Sequence, residues 1–183
     1  MLSTLSYIGE KLNNAKVVWA VGASILLNQY NLVEKPNDID IFVDTKDIHK
    51  VDKILKEIGK KKLWEKTSIY STEYFYEYII RGIDVDVMAG FAVNHVEGVF
   101  EYIFDNNSIS ELKSIKGVDI PFTSLEDWYV LYQLIPNREF KVKMIEEHLL
   151  SNGIKNPFLL KRALDGNLPI EVEEKIKIML DSD

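Results

Sequence analysis

The amino-acid sequence predicts an α/β (α+β) fold, a small mixed sheet with helices packed on it, followed by a helical C-terminal region. Three observations carry this expectation. An apolar run, Val17-Val18-Trp19-Ala20-Val21, enters a small-residue turn, Gly22-Ala23-Ser24. Two later segments, Asp38-Ile39-Asp40-Ile41-Phe42-Val43 and Ile83-Asp84-Val85-Asp86-Val87-Met88, alternate acidic and apolar residues with the two-residue period of a strand. From Ser124 onward the strand pattern ends and only helical periodicity remains.

Taken in order, Ser3 to Asn14 carries Leu5, Ile8, Gly9 and Leu12 at helical spacing. Val17 to Val21 reads as a buried strand, Gly22 and Ala23 as the turn, and Ser24 to Tyr30 as a short helix. Asp38 to Val43 is the second strand. Asp47 to Gly59 spaces Ile48, Val51, Ile54, Leu55 and Ile58 as a helix that stops at its glycine. Tyr74 to Ile80, then Arg81-Gly82, then Ile83 to Met88 predicts a hairpin, and Gly117 to Phe122 a last short strand. Ser124-Leu125-Glu126-Asp127 offers a helix cap with acids in the first turn, and the periodicity runs on through Tyr132 and Met144 to Leu150. Pro157 to Leu164 and Ile170 to Leu180 are two further amphipathic helices. The division expected is a core over residues 1–122 and a helical region over 123–183.

With 183 residues, 46% of them apolar and 28% charged, the chain has the means to bury a sizeable core. Cysteine is absent, which excludes disulfides and thiolate metal sites and fits a reducing cytosol. No apolar run approaches the roughly 20 residues that span a bilayer. Met1-Leu2-Ser3-Thr4-Leu5 lacks a basic stretch followed by an apolar block, so no secretory leader and a cytoplasmic location are expected. A net charge of −7 argues against broad binding to DNA or RNA, which rests on clustered Lys and Arg. Lys60-Lys61-Lys62 reads as a solvated helix end.

Alternation places Asp38 and Asp40 on one face of their strand while Ile39, Ile41 and Val43 enter a core. Asp84 and Asp86 likewise share a face, and the two pairs become neighbours if their strands do. Three or four carboxylates on one sheet face repel one another unless a divalent cation or a basic group lies among them. Such a cluster beside a phosphate-sized turn suits metal-assisted phosphoryl or nucleotidyl transfer. Ser24 reads equally as a helix cap and as a hydroxyl facing an anion. Asp84 adjoins the Arg81-Gly82 turn and reads as a solvated or Arg-paired residue. His49, His95 and His148 share no ligand spacing, and Tyr70, Tyr74, Tyr76 and Tyr78 read as sheet packing. No Walker or Rossmann glycine fingerprint is present.

On these residues the chain resembles the nucleotidyltransferase superfamily of DNA polymerase beta-like fold, especially its minimal and antibiotic-modifying members. The family pattern is a glycine and a second small residue after an apolar strand, a short helix, a paired acidic strand, and a third acid on a later strand. Gly22, Ala23 and Ser24 match the turn, Asp38 and Asp40 the metal-binding pair, and Asp86 or Asp84 the third acid. The match covers roughly residues 15–90, and Ser124 to Leu149 looks like the family's following helix. The chain departs from the pattern in two respects: Ala23 replaces Gly or Ser, and Tyr132, Gln133, Val142 and Lys143 stand where many members carry a Lys and a Lys-Asp pair.

The resemblance implies transfer of a nucleoside monophosphate from a nucleoside triphosphate to an acceptor hydroxyl, with release of pyrophosphate. It implies two divalent ions, Mg²⁺ or Mn²⁺, held by Asp38 and Asp40 and completed by Asp86, with phosphate bound at Gly22, Ala23 and Ser24. Arg81, Arg138, Lys141 and Lys143 are candidates to hold the triphosphate. The acceptor stays open among a small molecule, a protein side chain and an RNA end, the last disfavoured by the acidic balance. Two alternatives also stay open. One is a catalytically weakened relative that binds a nucleotide or a partner protein; the other is the toxin half of a toxin–antitoxin pair.

Overall fold

Two strands whose acids and aliphatics alternate define the centre of the molecule, and their register sets everything around them. The computed structural model describes residues 1–63 and 67–182. Helix α1 (Leu2–Asn14) is followed by strand β1 (Trp19–Val21), helix α2 (Ala23–Gln29) and strand β2 (Ile39–Val43). Helix α3 (Ile48–Ile58) and a short strand β3 (Lys60–Lys61) lead into the hairpin β4 (Tyr74–Ile80) and β5 (Ile83–Ala89). A second hairpin, β6 (Ala92–His95) and β7 (Gly98–Glu101), precedes β8 (Glu111–Ile115) and β9 (Val118–Phe122). Helices α4 (Leu125–Leu134), α5 (Glu139–Asn152), α6 (Pro157–Leu164) and α7 (Ile170–Asp181) follow.

Seven strands form one mixed sheet in the order β3-β4-β5-β2-β1-β9-β8, and β6 and β7 pair separately. The two acidic strands lie side by side and parallel, with Ile39 opposite Val85, Asp40 opposite Asp86 and Phe42 opposite Met88. The β4–β5 hairpin closes through Arg81 at φ 52° and Gly82 at φ 75°, the paired positive angles of a two-residue turn matched to strand twist.

Parity divides the sheet. Ile39, Ile41, Val43, Val85 and Val87 are buried on the face where α1 and α3 pack. There a Cβ at Gly9 would lie 2.3 Å from Ile120, so α1 approaches the sheet as closely as a glycine permits. The opposite face carries Asp40 and Asp86, and Phe42 beside them is buried as well, against Phe91, Tyr102 and Trp128. The hydrophobic core therefore runs through both faces of the sheet and into the C-terminal helices.

The helical continuation from Ser124 to Leu150 is corrected by the structure. Two helices stand there, α4 and α5, because Pro136 cannot donate to the helix and forces Ile135 before it into an extended conformation (φ −92°, ψ 123°). Ser124 caps α4 by accepting from Asp127 N–H at 2.9 Å, as the sequence predicts. Helix α4 is buried nearly all round rather than along one face, acids included. Glu126 accepts from Asn156 N–H at 2.8 Å, and Asp127 accepts from the Tyr102 hydroxyl at 2.7 Å. The lysine run is not a helix end either: Lys61 lies in β3, bound to Asp52 at 2.6 Å, and Lys62 pairs with Asp84 at 2.8 Å.

Candidate active site

The register of β2 on β5 sets Asp40 and Asp86 directly side by side, and Asp38 stands one residue before β2. One carboxylate oxygen from each of Asp38, Asp40 and Asp86 lies within 4.8 Å of the other two. Asp84 shares their face but stands two residues nearer the hairpin turn, mostly exposed and paired to Lys62. Asp86, not Asp84, is the acid that joins the pair.

The electrostatics of this cluster are unfavourable. Burial first, then the charges of Asp38 and Asp86, push the Asp40 carboxyl well above the ordinary range, against a smaller opposing pull from Lys141. Burial, with Glu77 and Asp38, pushes Asp86 up to about 7, opposed by Lys62. Glu77 is the residue directly across from Asp86 on β4. Hard oxygen donors held together at such cost are the donor set that Mg²⁺ or Mn²⁺ takes, so the residues present fit a divalent cation.

The turn after β1 abuts the cluster. Gly22 has φ −140° and ψ −149°, so its role is not a positive φ; the positive angle falls on Ala23, at φ 47°. A Cβ at Gly22 would lie 2.5 Å from Trp128 Nε1, so glycine is required there by close approach. Gly22 N–H donates to the Asp40 carbonyl at 3.0 Å, which commits the amide that the sequence assigns to phosphate. The amides of Ala23 and Ser24, first in α2, have no intrahelical acceptor. Ser24 is not the cap of α2; its hydroxyl lies 3.4 Å from Asp38 Oδ1.

At the acids is a cavity of about 270 Å³, lined by Ala23, Ser24, Asn37 and the three aspartates together with Tyr70, Phe75, Phe91, Trp128, Tyr132, Ile135, Arg138 and Lys141. Lys141 Nζ donates to the Tyr132 hydroxyl at 3.3 Å. Burial and the neighbouring Arg138 lower the Lys141 pKa, while Asp40 and Asp38 act to hold its proton. Of the four cations proposed from sequence, Arg138 and Lys141 reach the cavity. Arg81 lies instead over the Tyr7 ring at 3.6 Å, and Lys143 is 3.8 Å from Glu147.

Tyr70, read from sequence as sheet packing, lies instead on the cavity wall, where it stacks at 6.4 Å on Phe75, which sequence reading missed. Parity held the signal for Phe75, since it shares a face with Glu77 and faces Met88 across the hairpin. Tyr78 does pack in the sheet, its hydroxyl on Asp52 at 2.5 Å. The histidines are all elsewhere: His49 is edge-on to Tyr74, His148 to Tyr30, and His95 bonds the Asn167 carbonyl.

A wider cleft of about 660 Å³ adjoins this cavity and shares Tyr132 and Ile135 with it. It lies between the β6–β7 turn, the α4–α5 connection and α7, with Glu139, Glu146 and Glu171 among its lining.

No protein-family model and no curated protein sequence matches the chain. Solved structures do. A Thermotoga maritima protein assigned as a nucleotidyltransferase superposes with a TM-score of 0.60 and 27% identity, covering 82% of this chain and 93% of its own. The complex of ANT(2″)-Ia with adenylyl-2″-tobramycin gives 0.58 and 13%, over 99% and 95% of the two chains. The lincomycin-bound lincosamide antibiotic adenylyltransferase LnuA gives 0.53 and 19%, over 79% and 95%. The chain thus shares the fold of these nucleotidyltransferases, and with the Thermotoga protein it keeps 27% identity over nearly all of that protein's length.

Proposed function

We propose that the protein transfers a nucleoside monophosphate from a nucleoside triphosphate to the hydroxyl of a small-molecule acceptor. The observation that carries this reading is the convergence of Asp38, Asp40 and Asp86 beside the Gly22-Ala23-Ser24 turn. The three carboxylates would hold divalent metal, which when bound supplies positive charge against the triphosphate and acidifies the acceptor hydroxyl. Ala23 and Ser24 N–H groups bind phosphate oxygens, and Arg138 and Lys141, which line the same cavity, balance charge. Asp86, on the side of the cluster nearest β4, takes the hydroxyl proton. The acceptor oxygen bonds to the α-phosphorus, the bond from that phosphorus to the bridging oxygen breaks, and pyrophosphate leaves. Trp128, Tyr132 and Phe91 keep water from the reacting atoms.

The cleft that shares Tyr132 and Ile135 with the cavity takes the acceptor. Its size suits a drug-sized molecule, which agrees with the antibiotics named for ANT(2″)-Ia and LnuA. The test is calorimetry with each of the four nucleoside triphosphates, with and without Mg²⁺ or Mn²⁺, followed by pyrophosphate release with amino-sugar and lincosamide acceptors. Metal-dependent triphosphate binding that Asp40→Asn abolishes supports the site. Absence of triphosphate binding with either metal overturns it. Binding without turnover on any acceptor assigns the chain to the weakened, nucleotide-binding relatives.

A further inference from the structure

We propose that Trp128 is a positioning residue for the Gly22-Ala23-Ser24 turn, acting through its indole N–H on Thr123. The inference rests on the reading of that turn as the triphosphate's seat. Three contacts converge on it. The indole lies so close to the Gly22 backbone that a Cβ there would sit 2.5 Å from Nε1 and 2.7 Å from Cζ2. Trp128 Nε1 donates to Thr123 Oγ1 at 2.9 Å, and Thr123 is fully buried. Thr123 in turn gives both its hydroxyl (3.3 Å) and its N–H (3.0 Å) to the carbonyl of Val21, the residue just before the turn.

The turn has reason to need such a hold. Ala23 has a left-handed backbone (φ 47°), disfavoured for a residue with a Cβ. The peptide unit that opens the turn is held on both sides: Gly22 N–H is fixed to the Asp40 carbonyl at 3.0 Å, tying the turn to the strand that carries the carboxylates, and the Val21 carbonyl is fixed through Thr123 to Trp128. The indole cannot rotate away, because Tyr132 at 4.9 Å and Phe42 at 5.7 Å pack on it. Helix α4 thereby sets the distance between the phosphate seat and the acidic cluster, and Trp128 is the residue through which it does so.

Trp128→Phe keeps most of the ring but loses the donor, and Thr123→Val keeps the shape but loses the relay. The probe is the α,β-methylene analogue of ATP with Mg²⁺, measured by calorimetry, beside amide ¹H–¹⁵N spectra of the metal-free protein. Each single variant should weaken the analogue about tenfold, one hydrogen bond's worth, and move the Gly22, Ala23 and Ser24 resonances. The double variant should be no weaker than either single one, since both break one chain of bonds. Leu131→Val, elsewhere in the same helix, should lower the melting temperature without touching analogue affinity. Unchanged resonances and affinity in both single variants, or additive losses in the double variant, would overturn the proposal. A wild type that binds no analogue would instead overturn the nucleotide reading, and the amide spectra would still decide the role of Trp128.

Discussion

Neutralising one acid of the cluster should stabilise the metal-free protein, and Asp86→Asn tests this most directly. Asp86 shifts from 3.8 to about 7 in the fold, pushed first by burial and then by Glu77 and Asp38. At 1.36 kcal/mol per pH unit, that difference corresponds to roughly 4 kcal/mol of destabilisation once the group is ionised in both states. The sign follows from linkage. A raised folded pKa means the native state keeps its proton longer than the unfolded chain. The penalty is therefore absent well below pH 4, grows as pH rises towards 7, and levels off above it. Water in the cavity and local relaxation lower the figure, so we expect Asp86→Asn to gain about 2 kcal/mol at pH 8 in EDTA. For a chain of this size that is a rise in melting temperature of about 4–8 °C. The gain should shrink towards zero at pH 4, and Mg²⁺ should stabilise the wild type more than the variant. A variant that melts below the wild type at pH 8, or a gap that is the same at both pH values, would refute the account of the cluster.

Three other perturbations separate the structural parts of the molecule from the site. Burial raises the Asp52 carboxyl, but hydrogen bonds from Lys56, Lys61 and Tyr78 outweigh it and hold the pKa at about 2. This is the opposite sign: the stabilisation is fully present above pH 4 and is lost as pH falls through 2, so Asp52→Asn should cost about 1 kcal/mol at pH 7 in urea titrations and progressively less as pH falls from 4 towards and below 2. Ala23→Gly removes left-handed strain of about 1 kcal/mol while loosening the unfolded chain by somewhat less, so its melting temperature should stay within about 2 °C of wild type. A marked loss of stability would show that the Ala23 methyl packs rather than strains. A chain ending at Phe122 loses α4, whose Trp128, Tyr129 and Leu131 are buried on the sheet; it should be insoluble on expression, and a soluble product with native circular dichroism would count against the shared core.

Legibility in the sequence followed the strength of local periodicity. The hairpin over 74–89 and the helices at Pro157 and Ile170 were readable to within a residue or two, because alternation and helical spacing are strong there and Arg81-Gly82 punctuates the turn. Strands β6 to β8 were not. They are four or five residues long and carry exposed positions such as Val99 and Leu112, so they lack a period that sets them apart from loop. The break at Pro136 was present as a residue but was overridden by apolar spacing on either side of it. At the site, parity could place Asp38, Asp40 and Asp86 on one face. It could not reveal that Gly22 is required by an indole more than a hundred residues away, or that Lys141 of α5 and Arg138 just before it reach the same cavity. Those facts depend on packing between distant segments, which no local pattern encodes.

The covered acidic face links folding to chemistry. Left open to water, three carboxylates on a sheet would be screened and would bind a cation weakly. Here Trp128, Tyr132 and Phe91 wall the cavity above Asp40, and burial is the largest influence on its raised pKa. The same desolvation that destabilises the empty cluster strengthens its attraction for any cation that enters. Lys141 can offset only part of the charge, since its own proton is weakened by burial and by Arg138. Helices α4 and α5 thus do more than seal a core. They lower the dielectric around the acids, which costs the metal-free chain stability and would favour a cation that entered. Opening that wall, for instance by Tyr132→Ala, should therefore lower two quantities together: the Asp40 carboxyl should fall towards the ordinary range and Mg²⁺ affinity should fall with it. If carboxyl titration by NMR and Mg²⁺ calorimetry instead moved apart, with a less raised Asp40 and tighter metal, desolvation would not be the source of the cluster's attraction for a cation.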